Sequence, residues 1–489
     1  MQEGTATSST PVAQDHHASD AVLLAVACVA QFMVVLDVSI VNVALPKIGA
    51  DLHYSATGLQ WVVNAYVLTF AGFLLLGGRL ADLFGRRRVF VGGLVLFSVA
   101  SLLGGLAQSS GELTAARAVQ GLGGAVLSPA TLTIIMTTFT EGEGRHRALG
   151  AWSATAGLGG AFGVILGGIL TSELSWRWVF YVNIPIGIGA GVAALAVLRE
   201  MKRPDAERAI DVTGSILATG GLALLVYAIV GTDTHPWGSG RTLGLLAASA
   251  VLLVVFVWTQ TKVKSPLMPL SLFRSRTVSA ANITMLLLGV AFFSMWYFLS
   301  LYLQRVKGHT PLHAGLLFLP MSAAIIIGAQ TAGRIIGRVG PRALLFVGLG
   351  MSASGFAWLT QLTAASSYVS GMLGGTLLIS FGVGLCFTPL ATAATTGVHW
   401  TQAGLASGVL NTARQVGGSI GLAALATVAT TRTHDLLAQN SFRYTHALTV
   451  NPLAAQTSGY DHAFAGAAIA CAVAALTALA IPGRAAPPA

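Results

Sequence analysis

The chain alternates long apolar runs with short polar loops. A membrane-spanning helix needs about 20 apolar residues, and this criterion predicts fourteen spans along the 489 residues. The predicted spans are centred near Met33, Phe70, Leu96, Val126, Gly159, Ala190, Gly221, Ala250, Leu288, Ile325, Met351, Phe381, Leu410 and Ala470. The pattern therefore predicts an all-α polytopic membrane protein whose main solvent is the lipid bilayer.

Composition agrees with this pattern. Only 9% of the residues are charged and 54% are hydrophobic, whereas soluble domains carry about 25% charged residues. The net charge of +10 could indicate a nucleic-acid partner, but the basic residues lie in short loops and form no basic domain. We therefore expect no nucleic-acid partner.

The distribution of basic residues orients the predicted spans. If the N-terminus is cytoplasmic, 18 Lys and Arg residues lie in cytoplasmic segments and 7 in outer segments. Because basic loops favour the cytoplasmic side, we expect both termini in the cytoplasm. The preference for Arg over Lys, with many Ala and Gly residues, suggests a bacterial source and thus the inner (cytoplasmic) membrane.

Two polar linkers, residues 199–210 and 262–276, bracket the two spans that are hardest to assign. They divide the chain into six spans, an inserted pair and six further spans. The predicted units are a disordered cytoplasmic tail (1–20), an N-terminal six-helix bundle (21–198), the linkers with two inserted spans (199–276), a C-terminal six-helix bundle (277–482) and a cytoplasmic tail (483–489).

The two bundles resemble each other at one loop. Residues 78–88 follow the second span, and residues 333–342 follow the second span of the second bundle. Both loops carry glycines and arginines at matching offsets. Parallel repeats of this kind occur in secondary transporters, which hold substrate between the two halves. The sequence therefore favours a transporter.

Asp37 is the clear acidic exception within the predicted spans. A carboxylate at membrane depth is costly, and such residues usually serve a function, although a structural, hydrogen-bonded acid is the alternative. Counting 1.5 Å per residue from the span ends places Arg117 at a similar depth. We therefore predict that Asp37 carries a proton and that Arg117 modulates it.

Two features suggest conformational gating. Asp82, Gly85 and Arg86 lie at the basic loop after the second span, where an acid could hold and release basic groups. In the fifth span, small residues recur every four positions and form one face for close helix packing; they are Gly159, Gly163 and Gly167. A solvated charge run and ordinary packing are the respective alternatives.

A drug-sized cavity needs aromatic side chains with a few polar groups. The candidates for such a cavity are Trp61, Tyr66, Trp296, Asn411, Arg414 and Gln415. Packing or interface anchoring is the alternative for each aromatic residue, and a structural role is the alternative for Arg414. With a single deep acid, a monocationic or neutral substrate fits better than a dication.

Other chemistries lack their sequence signals. No phosphate-binding Gly-x-x-x-x-Gly-Lys-Ser/Thr loop is present, which argues against ATP-driven pumping. The three cysteines are scattered through apolar runs and suggest neither a disulfide framework nor a metal site. We therefore expect no metal, no cofactor and no enzymatic activity.

Several motifs resemble those of the fourteen-span drug:proton antiporters of the major facilitator superfamily. The matching segments are residues 36–46, 78–88, 113–121, 176–185, 266–282 and 403–418. The resemblance implies the major facilitator fold, proton coupling at Asp37 and proton transfer involving Arg117. The fifth span departs from the family, because Val164 stands where a proline is usual.

Together these observations predict a multidrug or antibiotic-resistance exporter that exchanges small amphipathic molecules for protons, working as a monomer. A proton-coupled uptake symporter and a non-transporting receptor or scaffold are the alternatives. Neither the drug nor a role in self-resistance follows from the sequence.

Overall fold

The structure, a computed structural model, describes residues 13–139, 143–198, 211–263, 266–398, 403–443 and 451–483, and within them every regular element is a helix. The predicted linker 199–210 and most of both predicted tails lie outside the described residues. The first helix begins at Ala13, inside the segment predicted as a tail, although its candidate span starts at Asp20.

Three groups of helices follow one another along the chain. The first comprises α1 (Ala13–Asp51), α2 (Trp61–Phe84), α3 (Arg86–Leu106), α4 (Ser110–Thr138), α5 (Glu143–Ile169), α6 (Trp178–Tyr181) and α7 (Asn183–Val197). The second comprises α8 (Val212–Val230) and α9 (Gly240–Gln260). The third comprises α10 (Arg276–Leu301), α11 (Pro311–Leu317), α12 (Leu319–Val339), α13 (Pro341–Leu359), α14 (Gly374–Thr395), α15 (Ala403–Arg443) and α16 (Pro452–Ala478).

Short 3₁₀ and π segments extend or join these helices. The 3₁₀ segments are Gly58–Gln60, Gly231–Asp233 and Leu270–Arg274, and the π segments are Leu170–Leu174, Tyr302–Val306 and Tyr368–Leu373.

Capping side chains explain where several helices begin. The first backbone N–H groups of a helix lack intrahelical acceptors, and polar side chains supply them. Ser109 accepts from the Glu112 backbone N–H at the start of α4, while Asp211 caps α8 and Ser275 caps α10. Each cap stands where a polar loop gives way to an apolar run, so the boundary is encoded locally.

Twelve helices in the described part of the chain are long and apolar enough to cross a membrane. The predicted number of fourteen is therefore not confirmed. The two remaining predicted spans coincide with α5, whose apolar stretch Leu158–Leu174 is shorter, and with α15. The apolar run of α15 is interrupted by Asn411, Arg414 and Gln415, which lowers its hydropathy.

The two bundles share one packing pattern. In the first, α1 packs on α4, α5 and α7, α2 packs on α4, and α3 packs on α4 and α7. In the second, α10 packs on α14, α15 and α16, α12 packs on α14, and α13 packs on α14 and α16. Each contact has its counterpart at the equivalent position in the other bundle, as expected for an internal repeat.

The matching loops of the repeat have matching backbones. Gly85 separates α2 from α3 with φ 95°, and Gly340 separates α12 from α13 with φ 83°. Residues with a Cβ atom rarely adopt positive φ, whereas glycine does so readily. The glycines in this motif therefore allow an abrupt turn between two antiparallel helices in each bundle.

The pair α8–α9 forms a hairpin beside the two bundles. α8 contacts α2 and α15, and the Ser249 hydroxyl of α9 donates to the Gly221 carbonyl of α8 at 2.7 Å. Only 11% of the apolar segment of α9 is buried. α9 is therefore the least buried of the twelve candidate spans.

Candidate functional site

Asp37 and Arg117 meet in the interior of the first bundle. Asp37 lies on α1 and Arg117 on α4, and their side chains are 0% and 2% exposed. Arg117 Nη1 lies 2.5 Å from Asp37 Oδ2. The sequence predicted similar depths for the two residues, and the structure brings them into direct contact. Their roles in proton transfer remain predictions.

Three further polar side chains complete the environment of Asp37. Its Oδ1 atom accepts hydrogen bonds from Gln120 Nε2 at 2.7 Å and from Asn183 Nδ2 at 3.1 Å. Both amides also donate to the Ser101 hydroxyl, at 3.2 and 3.0 Å. The carboxylate thus receives N–H donors from α4 and α7, while α3 supplies a shared acceptor.

None of these three residues was among the predicted site residues. Gln120 had a usable signal, because it lies three positions after Arg117 and therefore on the same face of α4. Its Oε1 atom accepts from Arg117 Nη1 at 2.7 Å. Asn183 and Ser101 lie on other helices, and only their packing reveals that they belong to the site.

Arg117 is held independently of Asp37. Its Nε donates to the Val62 carbonyl of α2 at 2.9 Å, and its guanidinium carbon lies 4.4 Å from the centre of the Tyr66 ring. Tyr66 itself is buried and stacks on Phe70, with ring centroids 5.9 Å apart. Tyr66, predicted to line a substrate cavity, therefore lies within the Asp37–Arg117 site.

The hydrogen bonds around Asp37 fit an ionised carboxylate. Three N–H donors, from Arg117, Gln120 and Asn183, point at its two oxygens. Oδ1 accepts from both amides, so a proton on this atom would displace one of them, whereas Oδ2 accepts from Arg117 alone. Arg117 also has acceptors in the Val62 carbonyl and Gln120 Oε1, which do not depend on Asp37.

The glycine face of α5 packs on the same stretch of α1 that carries Asp37. A Cβ atom on Gly163 would lie 2.0 Å from the Ser39 hydroxyl oxygen, and one on Gly167 would lie 2.8 Å from the Ile40 carbonyl. The Ser39 hydroxyl donates to the Gly159 carbonyl at 2.9 Å. The predicted close helix contact therefore exists, and its partner is the Asp37 helix.

The two bundles touch at the end of α1 that follows Asp37. Ser300 Oγ donates to the Asn42 carbonyl at 2.7 Å, and Gln304 Nε2 donates to the Val43 carbonyl at 2.9 Å. Nearby, a Cβ atom on Gly168 of α5 would lie 2.6 Å from Leu312 Cα of α11. With a rise of 1.5 Å per residue, these contacts lie about 8 Å beyond Asp37.

The loop between α2 and α3 holds the other predicted gating residues. Gly85 has the positive φ described above, and Arg86, which begins α3, is 9% exposed. Asp82 lies in the last turn of α2, but its side chain lies outside the described residues. The proposed exchange of partners at this loop therefore stays a prediction.

The predicted cavity residues separate into different environments. Trp61 lies against α8, with its ring centroid 6.3 Å from that of Tyr227, and Gln415 is 5% exposed. By contrast, Trp296 and Arg414 both flank Phe292 of α10, and Arg414 donates to Asn411 Oδ1 at 2.8 Å. Three of the candidates therefore share one region of the second bundle.

Comparison with known families accounts for this architecture. The model of the Major Facilitator Superfamily matches residues 27–422, which is most of the chain. The chain belongs to the Major Facilitator Superfamily. It is similar to the cephamycin export protein of Amycolatopsis lactamdurans, with 46% identity over 408 residues that cover 83% of this chain and 84% of the relative.

Two further relatives also match most of this chain. The puromycin resistance protein of Streptomyces alboniger is 40% identical, covering 85% of this chain and 83% of the relative. The tetracenomycin C resistance and export protein of Streptomyces glaucescens is 36% identical, covering 85% and 76%.

A solved structure supports the fold. A bacterial homolog of the human lysosomal transporter Spinster, in an inward-facing and occupied conformation, aligns with a TM-score of 0.67. The alignment covers 96% of this chain and 97% of that chain at 16% identity. The membrane-embedded superfamily fold is therefore established, and the low identity carries no statement about substrate.

Proposed function

We propose that the protein exports small amphipathic molecules, including antibiotics, in exchange for protons by alternating access between its two bundles. The observation that carries this proposal is the buried Asp37–Arg117 pair, which lies just beneath a contact between the bundles. The names of three relatives, which refer to the export of cephamycin and tetracenomycin C and to puromycin resistance, support the substrate class.

The contacts suggest how proton binding and bundle movement are linked. While the bundles touch beside Asn42 and Val43, Asp37 is enclosed and all its donors are in place. When the bundles part there, water reaches the site and Asp37 takes a proton. Arg117 then stays on Val62 and Gln120, the two acceptors that do not depend on the carboxylate.

The close contact between α1 and α5 provides the mechanical link. Because Gly159, Gly163 and Gly167 have no side chains, α5 lies directly against Val35, Ser39 and Ile40 of α1, on either side of Asp37 in the sequence. With no α5 side chains between the two helices, a shift of α5 is passed closely to α1. The same helix α5 contacts α11 of the second bundle, so movement of one bundle reaches Asp37.

We further propose fourteen spans, with α5 and α15 as true spans, in a monomer of the bacterial cytoplasmic membrane with both termini inside. A cysteine introduced as Gly238→Cys, between α8 and α9, tests this topology by labelling intact cells with an impermeant maleimide. Fourteen spans place this position outside, whereas a chain in which α5 fails to cross places it inside. The variant Thr261→Cys, just beyond α9, lies on the other side of the membrane from Gly238. With fourteen spans it should therefore stay unlabelled in intact cells.

The proton coupling is tested in inverted membrane vesicles that are acidified inside. Addition of cephamycin, puromycin or tetracenomycin C to an antiporter should raise the internal pH, because each substrate molecule entering releases protons. We expect Asp37→Asn to abolish this response. Glu173→Gln is the matched control, because Glu173 is an exposed carboxylate in the π segment that follows α5 in the same bundle.

The outcomes separate the candidate functions. An undiminished response in Asp37→Asn would remove Asp37 from the coupling step. A symporter would give the opposite sign, with further acidification on addition of substrate. A receptor or scaffold would give no substrate-dependent proton movement with any of the three compounds, although it would reach the membrane normally.

A further inference from the structure

A small group of side chains remains partly exposed inside the second bundle. Helix α10 is one of the most enclosed candidate spans, with 72% of its apolar segment buried. Phe292 and Trp296, one turn apart, nevertheless keep part of their surfaces open. The residues one turn before and after this pair on the same face, Leu288 and Ser300, are fully buried. We therefore place the open surfaces of the two rings on the interior side of α10.

Two other helices present side chains to the same region. Phe387 of α14 lies 6.1 Å from Phe292, measured between ring centroids, at an interplanar angle of 79°. The guanidinium of Arg414 on α15 lies 6.0 Å from the centres of both rings. Arg414 is itself partly exposed, as are Phe292 and Phe387, so a cationic group lies beside two aromatic rings that are not fully covered.

The charge of Arg414 is not balanced by the described residues. Its guanidinium makes one hydrogen bond, to the neutral amide oxygen of Asn411, although the group has five N–H donors. Among the residues that the structure describes, no carboxylate lies within ion-pair distance of it. In the first bundle, by contrast, Asp37 and Arg117 neutralise each other.

The position of Arg414 is fixed by close helix packing. A Cβ atom on Gly289 of α10 would lie 2.2 Å from the Arg414 carbonyl oxygen, and one on Gly417 would lie 1.9 Å from the Leu286 carbonyl. The two helices therefore meet backbone to backbone at Arg414 and again at Gly417. This contact fixes the point from which the Arg414 side chain extends towards the Phe292 ring.

We propose that Arg414, with Asn411, Phe292, Trp296 and Phe387, forms a subsite for the anionic group of an amphipathic substrate. The guanidinium binds a carboxylate or a similar oxyanion, and the rings hold the adjoining apolar part. A planar guanidinium suits this role because it donates two parallel hydrogen bonds to a carboxylate. The inference rests on the proposed export function and names its substrate class.

The charges in the structure favour a different substrate from the one expected from the sequence. A lone deep acid suggested a monocationic or neutral substrate. In the structure that acid is already paired with Arg117, so it offers no free negative charge to a cation. Within the described part of the second bundle, the Arg414 guanidinium is a positive charge without a carboxylate partner, and a bound anion would neutralise it in a region where uncompensated charges are costly.

Two fluorescent probes with the same apolar part and opposite charges test the subsite. Pyrenebutyrate and pyrenebutyl-trimethylammonium are titrated into the purified full-length protein in neutral detergent, and equilibrium binding is measured by fluorescence anisotropy. Binding needs no proton gradient, so its result is independent of the coupling step. The variants are Arg414→Gln and Arg414→Lys, with Arg241→Gln, an exposed arginine of the inserted hairpin, as the control.

We expect the unaltered protein to bind the anion more tightly than the cation. Arg414→Gln should weaken anion binding about tenfold or more and leave cation binding nearly unchanged, because a charged hydrogen-bond partner is lost. Arg414→Lys should retain part of the preference. Raising the salt concentration should weaken binding of the anion in the unaltered protein.

Three results would overturn the subsite. They are a cation preference in the unaltered protein, equal weakening of both probes in Arg414→Gln, and an anion affinity that does not depend on residue 414. The first requires no variant and therefore does not depend on whether Arg414→Gln folds. If anion binding behaves as expected but vesicles show no substrate-driven proton release, the export proposal fails and the subsite stands.

Discussion

Replacing Arg117 with methionine tests whether the Asp37 network is an electrostatic unit. In the structure Arg117 donates to Asp37, to Gln120 Oε1 and to the Val62 carbonyl, and it lies over the Tyr66 ring. Arg117→Met removes all of these contacts while filling a similar volume. Asp37 Oδ2 is then left in an enclosed site without its cationic donor.

The expected cost follows from the burial of both partners. Removing one member of a buried ion pair typically destabilises a protein by about 3–5 kcal/mol, because the other charge stays buried without compensation. Unfolding entropy is about 2.1 cal/mol/K per residue near the melting temperature. For a chain of 489 residues, this cost lowers the melting temperature by about 3–5 °C if the chain unfolds as one unit.

The assay compares melting temperatures in one detergent at constant pH, using intrinsic fluorescence during heating. The double variant Asp37→Asn with Arg117→Met removes both charges and should recover most of the loss, since a buried pair can often be replaced by neutral groups at little net cost. A double variant as unstable as Arg117→Met alone would refute the electrostatic argument, because the loss would then come from packing. A loss of stability below about 1 kcal/mol in Arg117→Met would also refute the electrostatic argument, because exposed ion pairs contribute no more than this.

Three further predictions concern other parts of the chain. Gly163→Leu should abolish substrate-driven proton release in the vesicle assay, because even a Cβ atom at this position would lie 2.0 Å from the Ser39 hydroxyl oxygen. Gly160→Ala is the control: it lies on the same helix with open space beside it, and this variant should retain transport. Asp211→Ala should lower the melting temperature, because the Asp211 carboxylate caps α8 and also accepts a hydrogen bond from α9. Loss of such a cap costs about 1 kcal/mol. An unchanged melting temperature would contradict a stabilising role for Asp211. Burial lowers the pKa of His309, in the loop before α11, and the nearby charges of His313 and Lys307 lower it further. The folded protein therefore binds a proton at His309 less readily than the unfolded chain does. The stability associated with neutral His309 is present above the unfolded-state pKa of about 6.5 and is lost as the pH falls below it. Melting temperatures between pH 7.5 and 5 should therefore fall less in His309→Gln than in the unaltered protein, and identical pH profiles would contradict this.

The local pattern of the sequence was sufficient for the helical architecture. Apolar runs bounded by Ser, Thr or Asp caps predict helices because both signals act within a few residues, and helices satisfy their own backbone hydrogen bonds in lipid. The number of spans was harder to predict, since α15 carries Arg414 within its apolar run and α5 is apolar over a shorter stretch. Local hydropathy identifies spans least well where polar residues face the interior of a bundle.

The internal repeat was also visible in the sequence, through Gly85, Gly340 and the arginines around them. A positive φ can be predicted from such glycines because few other residues tolerate it. The order of helix contacts within each bundle could not be predicted in the same way. It depends on which faces fit together, and in α5 and α15 that fit is decided by glycines whose partners are distant in the chain.

For the site, the sequence by itself determined that Asp37 is exceptional and that Arg117 lies at a similar depth, because charge in an apolar span and the rise of a helix are local quantities. Only the tertiary structure decided that Gln120, Asn183 and Ser101 share the carboxylate, that Trp61 packs against α8, and that Arg414 lies beside two aromatic rings without a carboxylate partner. These facts come from side chains on separate helices. Whether two charged groups pair depends on their distance in space, which spacing along the chain does not give. For this reason the proposed substrate changes from the monocationic or neutral molecule expected from the sequence to an anionic one.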